Sequence, residues 1–190
     1  MKKTIFLTTL LVISCILSAG ELTSWISLGT STSKISGKYE KELSDWNTFD
    51  SFTGTQIGLN LIYRFENNLF WGATTKHIEK GWSENFWNEG DYDYHSQNID
   101  IYGKFGYKIP WLELFPYVGF GASEILHNDF YATDTNIDFP IYLGFDLRIN
   151  TIKTFENLML GLEWSFGTQR IDKYIDAKYQ VTSAYLGWRF

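Results

Sequence analysis

Apolar and polar residues alternate along the chain, four long polar connections are separated by three short ones, and aromatic residues reach 18% although no apolar run after Leu17 is long enough for a spanning helix. These observations predict an all-β fold: a single eight-stranded antiparallel transmembrane β-barrel, an up-and-down meander, following a cleaved signal peptide. High aromaticity with near-neutral mean hydropathy looks contradictory for a membrane protein. A barrel in lipid reconciles the two, because each strand averages a lipid-facing row with a lumen-facing one.

The first element is the export segment. Lys2 and Lys3 precede an uncharged run, Thr4 to Leu17, which ends in the small residues Ser18, Ala19 and Gly20. That is the three-part build of a signal peptide, and the run is too short to anchor the chain as a helix. The expected division is residues 1–20 as signal peptide and 21–190 as the barrel domain. Val12-Ile13-Ser14-Cys15 resembles a lipoprotein cleavage box, but the apolar core continues past the cysteine. Loss of the segment removes the single cysteine and takes the formal charge from −6 to −8. No disulfide or thiolate site is then available, neither a metal nor another cofactor is expected, and the absence of a basic cluster argues against nucleic acid as a partner.

The clearest strand is Ile137 to Asn150, where Ile137, Phe139, Ile141, Leu143, Phe145, Leu147 and Ile149 share one face opposite Asp138, Tyr142, Asp146 and Arg148. Alternation recurs from Leu158 to Gly167 and from Ser183 to Phe190. Gln56 to Phe65 follows it with Ile62 as the exception, and Ile99 to Lys108 and Pro116 to Ser123 follow it as well. Leu22 to Ser33 and Leu69 to Ile78 complete the eight, with Trp25 and Phe70 breaking parity. Short connections near Glu66 to Asn68, Ile109 to Leu112 and Asn150 to Asn157 alternate with long ones near Ser36 to Ser51, Glu79 to His95, Glu124 to Asn136 and Thr168 to Lys178. An even strand count puts both termini on the periplasmic side and the four long loops outside.

Alternation alone does not say which face meets lipid, and a soluble lipocalin-like barrel is the rival. Volume decides, since an eight-stranded bore holds one filling of side chains and cannot take every Leu, Ile, Phe and Trp of the apolar rows. The polar rows carry most strand glycines, which suits a crowded interior. Tyr63, Phe65, Trp71, Tyr107, Trp111, Phe115, Trp188 and Phe190 gather near the short-turn end, where a girdle of rings is stable between hydrocarbon and headgroups.

Pro116-Tyr117-Val118-Gly119-Phe120-Gly121 and the ending Tyr185-Leu186-Gly187-Trp188-Arg189-Phe190 carry a resemblance to the small OmpA/OmpX-type outer-membrane barrels. The resemblance implies a bacterial outer-membrane location. It also implies that Tyr185, Trp188 and Phe190 form a signal read by the barrel-assembly machinery, and that outer-membrane lipids and lipopolysaccharide surround the wall.

The lumen-facing rows are expected to hold Arg64, Lys76, Asp100, Lys104, Lys108, Asp138, Asp146, Arg148, Glu163 and Arg189 in an interlocked charge network, because unpaired ions in so narrow a bore are too costly. A filled bore points to a non-enzymatic protein acting in envelope integrity and, through its loops, in recognition of a host or surface ligand. A narrow ion path is one alternative. The other is a lipid A-modifying deacylase or acyltransferase, for which Ser123, Glu124 and His127 are the best grouping of nucleophile, acid and base. The His-x-Ser-Asn pattern resembling lipid A deacylases is absent. The second long loop places Glu84, Glu89, Asp91, Asp93 and His95 among Trp82, Phe86, Trp87, Tyr92 and Tyr94. Its spacing fits no calcium loop, and its aromatics suit contact with a partner.

Overall fold

The computed structural model describes residues 20–38, 47–86, 90–128, 137–149, 155–171 and 177–190. The expected signal peptide up to Ala19, with Cys15, lies outside them, as do Trp87 and Glu89. The strands are β1 (Gly20–Gly37), β2 (Asn47–Phe65), β3 (Leu69–Phe86), β4 (Gly90–Tyr107), β5 (Leu114–Asn128), β6 (Ile137–Asp138), β7 (Ile141–Arg148), β8 (Leu158–Phe166) and β9 (Ala177–Arg189). All neighbours pair antiparallel in chain order, and β1 pairs with β9, so the sheet closes on itself.

Nine strands make eight staves. Ser123 faces Asp138 and Phe120 faces Ile141 in one continuous register against β5, so β6 and β7 are two parts of one stave. The break falls at Phe139-Pro140, where proline has no N–H to give to the ladder. The chain turns tightly at one end, which we call the turn end. Asn68 there takes a left-handed φ of 66°, a conformation asparagine tolerates, and donates its N–H to Phe65 O at 3.1 Å. The opposite, loop end carries the long connections.

Register fixes the bore. From Leu28, the paired residues run through Ile57, His77 and Ile99 to Glu124 in one direction, and through Leu186, Leu160 and Leu147 to Leu114 in the other. Both paths end on β5, ten residues apart, which is the shear of the barrel. Eight staves with that shear tilt by about 40° and leave an interior that side chains alone can fill.

The outer wall is apolar. Leu22, Leu28, Ile101, Phe105, Phe120, Leu143, Leu186 and Trp188 are all exposed large hydrophobic residues, an arrangement stable only where the surrounding solvent is itself apolar. Trp71, Tyr107, Trp111, Trp188 and Phe190 lie exposed around the turn end as a girdle. Two of the expected girdle rings behave differently. Phe115 points into the lumen and meets Phe70 edge to face at 5.7 Å, and Tyr63 is covered by the wall around it, with Phe65 and Trp71 as ring neighbours.

Three of the long connections are shorter than expected, because strands continue into them, while the fourth lies between Phe166 and Ala177, close to its expected place. β3 and β4 remain paired from Glu79↔Gln97 to Phe86↔Gly90, β2 begins at Asn47, and β5 runs to Asn128. Beyond the lipid both faces can be polar, so the apolar-polar contrast disappears while the strand persists.

Space inside the wall is tight. A Cβ at Gly161 would lie 2.0 Å from the Tyr185 ring, whereas one at Gly103 on the outer face meets nothing closer than 3.9 Å. Gly161→Val is therefore expected to lower stability by about 1–3 kcal/mol. Gly103→Ala should stay within about 0.5 kcal/mol. Urea unfolding of the refolded barrel, followed by heat-modifiable gel mobility, checks both, and equal behaviour of the two variants would contradict the packing described.

Candidate functional site

Every second residue of each stave points into the bore, so the lumen is the place where the sequence concentrates its chemistry. Among the described residues, three ion pairs climb it from the turn end to the loop end. Lys104 Nζ meets Asp146 Oδ2 at 2.9 Å, Lys76 pairs with Glu163, and Lys80 Nζ meets Asp100 Oδ1 at 2.8 Å. Lys104 and Asp146 side chains are both 0% exposed. Four amino-acid steps along β3 separate Lys76 from Lys80, and four along β4 separate Lys104 from Asp100, so the same parity that builds the strand stacks the pairs.

Hydroxyls and amides complete the network. Tyr117 Oη donates to Glu163 Oε2 at 2.7 Å, Tyr102 also bonds Glu163, and Tyr185 bonds Asp146. Lys80 donates to Ser123 Oγ at 2.8 Å, and Asn60 accepts from Thr74 Oγ1 at 2.8 Å while donating to Ser27 Oγ at 3.1 Å. Lys104 lies over the Trp25 ring at 4.8 Å and the Tyr117 ring at 4.7 Å, so its charge is met on several sides by π-faces as well as by carboxylate.

Apolar clusters close the ladder at both ends. Trp25, Ile62, Phe70, Phe115 and Met159 fill the bore at the turn end, and Tyr142 stacks on Tyr102 at 3.9 Å above them. Ile35, Ile78, Trp82, Ile171, Tyr179 and Val181 fill it at the loop end. A cavity of about 10 Å³ beside Trp25, Arg64 and Lys108 has room for roughly one water. The arrangement can hold charge rigidly, but it offers no open bore among the described residues.

The expected network residues separate into three groups. Lys76, Asp100, Lys104, Asp146 and Glu163 lie together in the ladder. Arg64, Lys108, Arg148 and Arg189 ring the turn end, where Arg64 pairs with Glu21, Lys108 with Glu113 at 2.6 Å, Arg148 with Glu113 at 3.9 Å, and Arg189 reaches Asn157 at 3.4 Å. Asp138 belongs to neither group: its Oδ1 accepts from the backbone N–H groups of Phe139, Thr168 and Gln169 and ties the rim of β6 to the chain after β8. Although it is registered with the inward Ser123, its carboxylate is engaged by Thr168 and Gln169 and lies outside the ladder.

Lys80 and Glu113 escape the sequence reading, which places Glu84 in a long loop, not in a strand. Lys80 and Glu84 sit four and eight residues past Lys76 on one parity, so extending β3 would have found them. Glu113 stands in the turn before β5 with a left-handed φ of 50°, where no periodicity applies.

The structure does not assemble the catalytic grouping. Ser123 is buried in the lumen against Lys80 and Asn98, Glu124 is exposed on the outer wall, and His127 lies exposed beyond a bulge in the β4–β5 pairing. Alternation sends adjacent Ser123 and Glu124 to opposite faces. Two aromatics of the second connection, Trp82 and Tyr94, are likewise not free for a partner. Trp82 and Glu84 are buried, and Trp82 stacks on Tyr94 at 4.9 Å, while Asp93 accepts from Ser83. Tyr185 is inward and bonded to Asp146, whereas Trp188 and Phe190 face outward.

A closed barrel with an apolar wall and a filled polar bore is the build of an outer-membrane protein. The chain belongs to the outer membrane protein beta-barrel domain family, whose model matches residues 7–190, and it resides in the bacterial outer membrane. By sequence, none of the curated proteins matches it. Among solved structures it is similar to Ail, the attachment invasion locus protein of Yersinia pestis, at 14% identity over 90% of this chain and 99% of that one, with a TM-score of 0.53. Neisserial surface protein A is similar at 13% identity over the same shares, with a TM-score of 0.54. These likenesses establish the fold.

The ladder predicts a specific energetic pattern. Lys104→Met leaves Asp146 charged and buried and should cost about 3–5 kcal/mol. Combining it with Asp146→Leu removes both charges, and the double variant should lose less than Lys104→Met alone. Tryptophan fluorescence during urea unfolding in micelles measures this, and simple additivity of the two single losses would contradict the pairing.

Proposed function

We propose that this protein is a sealed, non-enzymatic barrel that reinforces the outer membrane and presents its loop end to the outside as a recognition surface, with both termini on the periplasmic side. The observation that carries the reading is the filling of the bore: apolar clusters at both ends enclose the three ion pairs of the ladder. Neither ions nor a substrate have a path through such a filling, so function moves to the rim. There the β3–β4 hairpin packs Ile78, Trp82 and Tyr94 into the loop-end cluster that it shares with Ile35 of β1 and Tyr179 and Val181 of β9, and forms a rigid support for the connections it carries.

The likeness to a protein named for attachment and invasion, and to one named as a surface protein, supports the surface reading. Tyr185, Trp188 and Phe190 would serve the barrel-assembly machinery during insertion. In this role only the outward Trp188 and Phe190 offer free rings, while Tyr185 would act after folding through Asp146.

The test has two arms. Purified barrel in planar bilayers should show no conductance steps across salts and voltages, and a deletion strain should keep an unchanged lipid A mass spectrum. Replacing residues 83–93 with an Asn-Gly turn should leave the barrel folded by gel mobility while reducing attachment of cells to a host surface several-fold. Conductance, altered lipid A, or full attachment by the shortened hairpin would each overturn the corresponding part.

A further inference from the structure

A row of paired residues runs perpendicular to the strands, so in a tilted barrel it climbs. With a tilt of about 40°, each step to the next stave rises about 3 Å and each residue along a strand about 2.5 Å. Measured from Leu114 at the turn end, Thr30 on β1, Thr55 on β2 and Thr182 on β9 then stand about 17–20 Å up the wall. Ile141, Phe139 and Phe166 on the stave of β6 and β7 and on β8 stand at about 18–23 Å. All six side chains are outward and exposed. At one level, therefore, three adjacent staves present hydroxyls and two present large apolar groups.

The difference extends along each face. On β1 the outward row passes from Leu28 to Thr30, Thr32 and Lys34, and on β9 from Ala184 to Thr182 and Gln180, so the apolar part of these staves is only about 15 Å tall. On β8 it spans about 20 Å, from Leu158 to Phe166, and on the stave of β6 and β7 about 25 Å, from Ile149 to Phe139, the ordinary height of such a belt. Glu79, outward on β3 next to this face, accepts from both the backbone N–H and the Oγ1 of Thr55 at 2.9 Å. Its carboxylate stands about 24 Å up, level with the outward Glu124 on β5, so the two charges mark the upper edge of the belt and the difference in depth rests on the threonine rows. Just below Glu79, a recess of about 400 Å³ lined by Ile26, Ile57, Leu59, Thr75 and His77 gives shortened or bent acyl chains a place to pack.

We infer that the β9–β1–β2 face is a thin face, against which the headgroups of outer-leaflet lipids descend several ångströms deeper than on the β7–β8 face. The occupant is lipid headgroup with its water: the threonine hydroxyls meet hydrogen-bonding partners there, and the protein distorts the leaflet on one side. The inference rests on the register and the outer wall, so it stands or falls separately from the sealed bore and the recognition surface.

The test uses nitroxide labels on single cysteines at Thr30, Thr55, Thr182, Ile141, Phe139 and Phe166 in the refolded mature barrel, in dioleoyl phosphatidylcholine vesicles. Labels at the three threonine positions should collide with a water-soluble nickel chelate several-fold more than labels at the other three, which should favour oxygen. Six labels of equal depth would overturn the inference. So would efficient disulfide dimers through Thr30→Cys, since a second protomer would then cover the face in place of headgroups. The triple variant T30L/T55L/T182L gives an independent arm: it should fold relatively better in long-chain than in short-chain phosphatidylcholine compared with the native barrel, and an unchanged chain-length preference would count against a thin face.

Discussion

The pairing of β1 with β9 is the constraint on which the remaining structure depends. In hydrocarbon no water satisfies a backbone N–H or C=O, so a sheet can cross only if its last edge meets its first. Once Trp25↔Arg189 through Gly37↔Ala177 are in register, the shear is set, and with it the tilt and the bore. A bore this narrow must be filled, and what fills it must be compatible with confinement. Rings and methyls occupy the ends, and the charges in between survive because each has a partner within reach. The chemistry of the lumen is thus a consequence of closure before it is a matter of function.

Confinement also explains why the ladder contains lysines and tyrosines rather than free carboxylates. A buried carboxylate with one cation is marginal, since desolvation offsets much of the Coulomb attraction. Glu163 instead receives Lys76, Tyr102 and Tyr117, and Asp146 receives Lys104 and Tyr185. Several donors on one acceptor turn an isolated ion pair into a network whose members hold one another's geometry. Such a network resists rearrangement, and that is what separates a plug from a pathway.

Much of this architecture is legible in the sequence because alternation has a single physical cause in both media: one face of a strand sees lipid and the other sees the bore. The exceptions were legible too, once closure is known. Ile62, Trp25 and Phe70 break the apolar-out pattern because they belong to the inward row, where they form part of the cluster that stops the turn end. What was not legible lies where the contrast between faces is lost. Above the lipid, β2, β3 and β4 continue with polar residues interspersed among inward rings such as Trp82, so the pattern reads as loop, Lys80 drops from view and Glu84 is taken for a loop residue. Pro140 splits one stave into two strands without changing the register. Ser123, Glu124 and His127 looked like a site in one dimension, but parity and a bulge disperse them in three.

The height of a residue in the membrane is the least sequential property of all. Leu114 and Glu124 belong to the same climbing row, yet they lie a belt's height apart on one strand, and Thr55 shares its level with Phe166 rather than with its own neighbours. Level therefore emerges only when tilt and shear are combined, after every pair has been assigned. A hydrophobic belt that is even along each strand can still be uneven around the barrel, and a threonine that is unremarkable within β1 becomes informative beside a phenylalanine on β8. The wall, like the bore, has to be read around the circle.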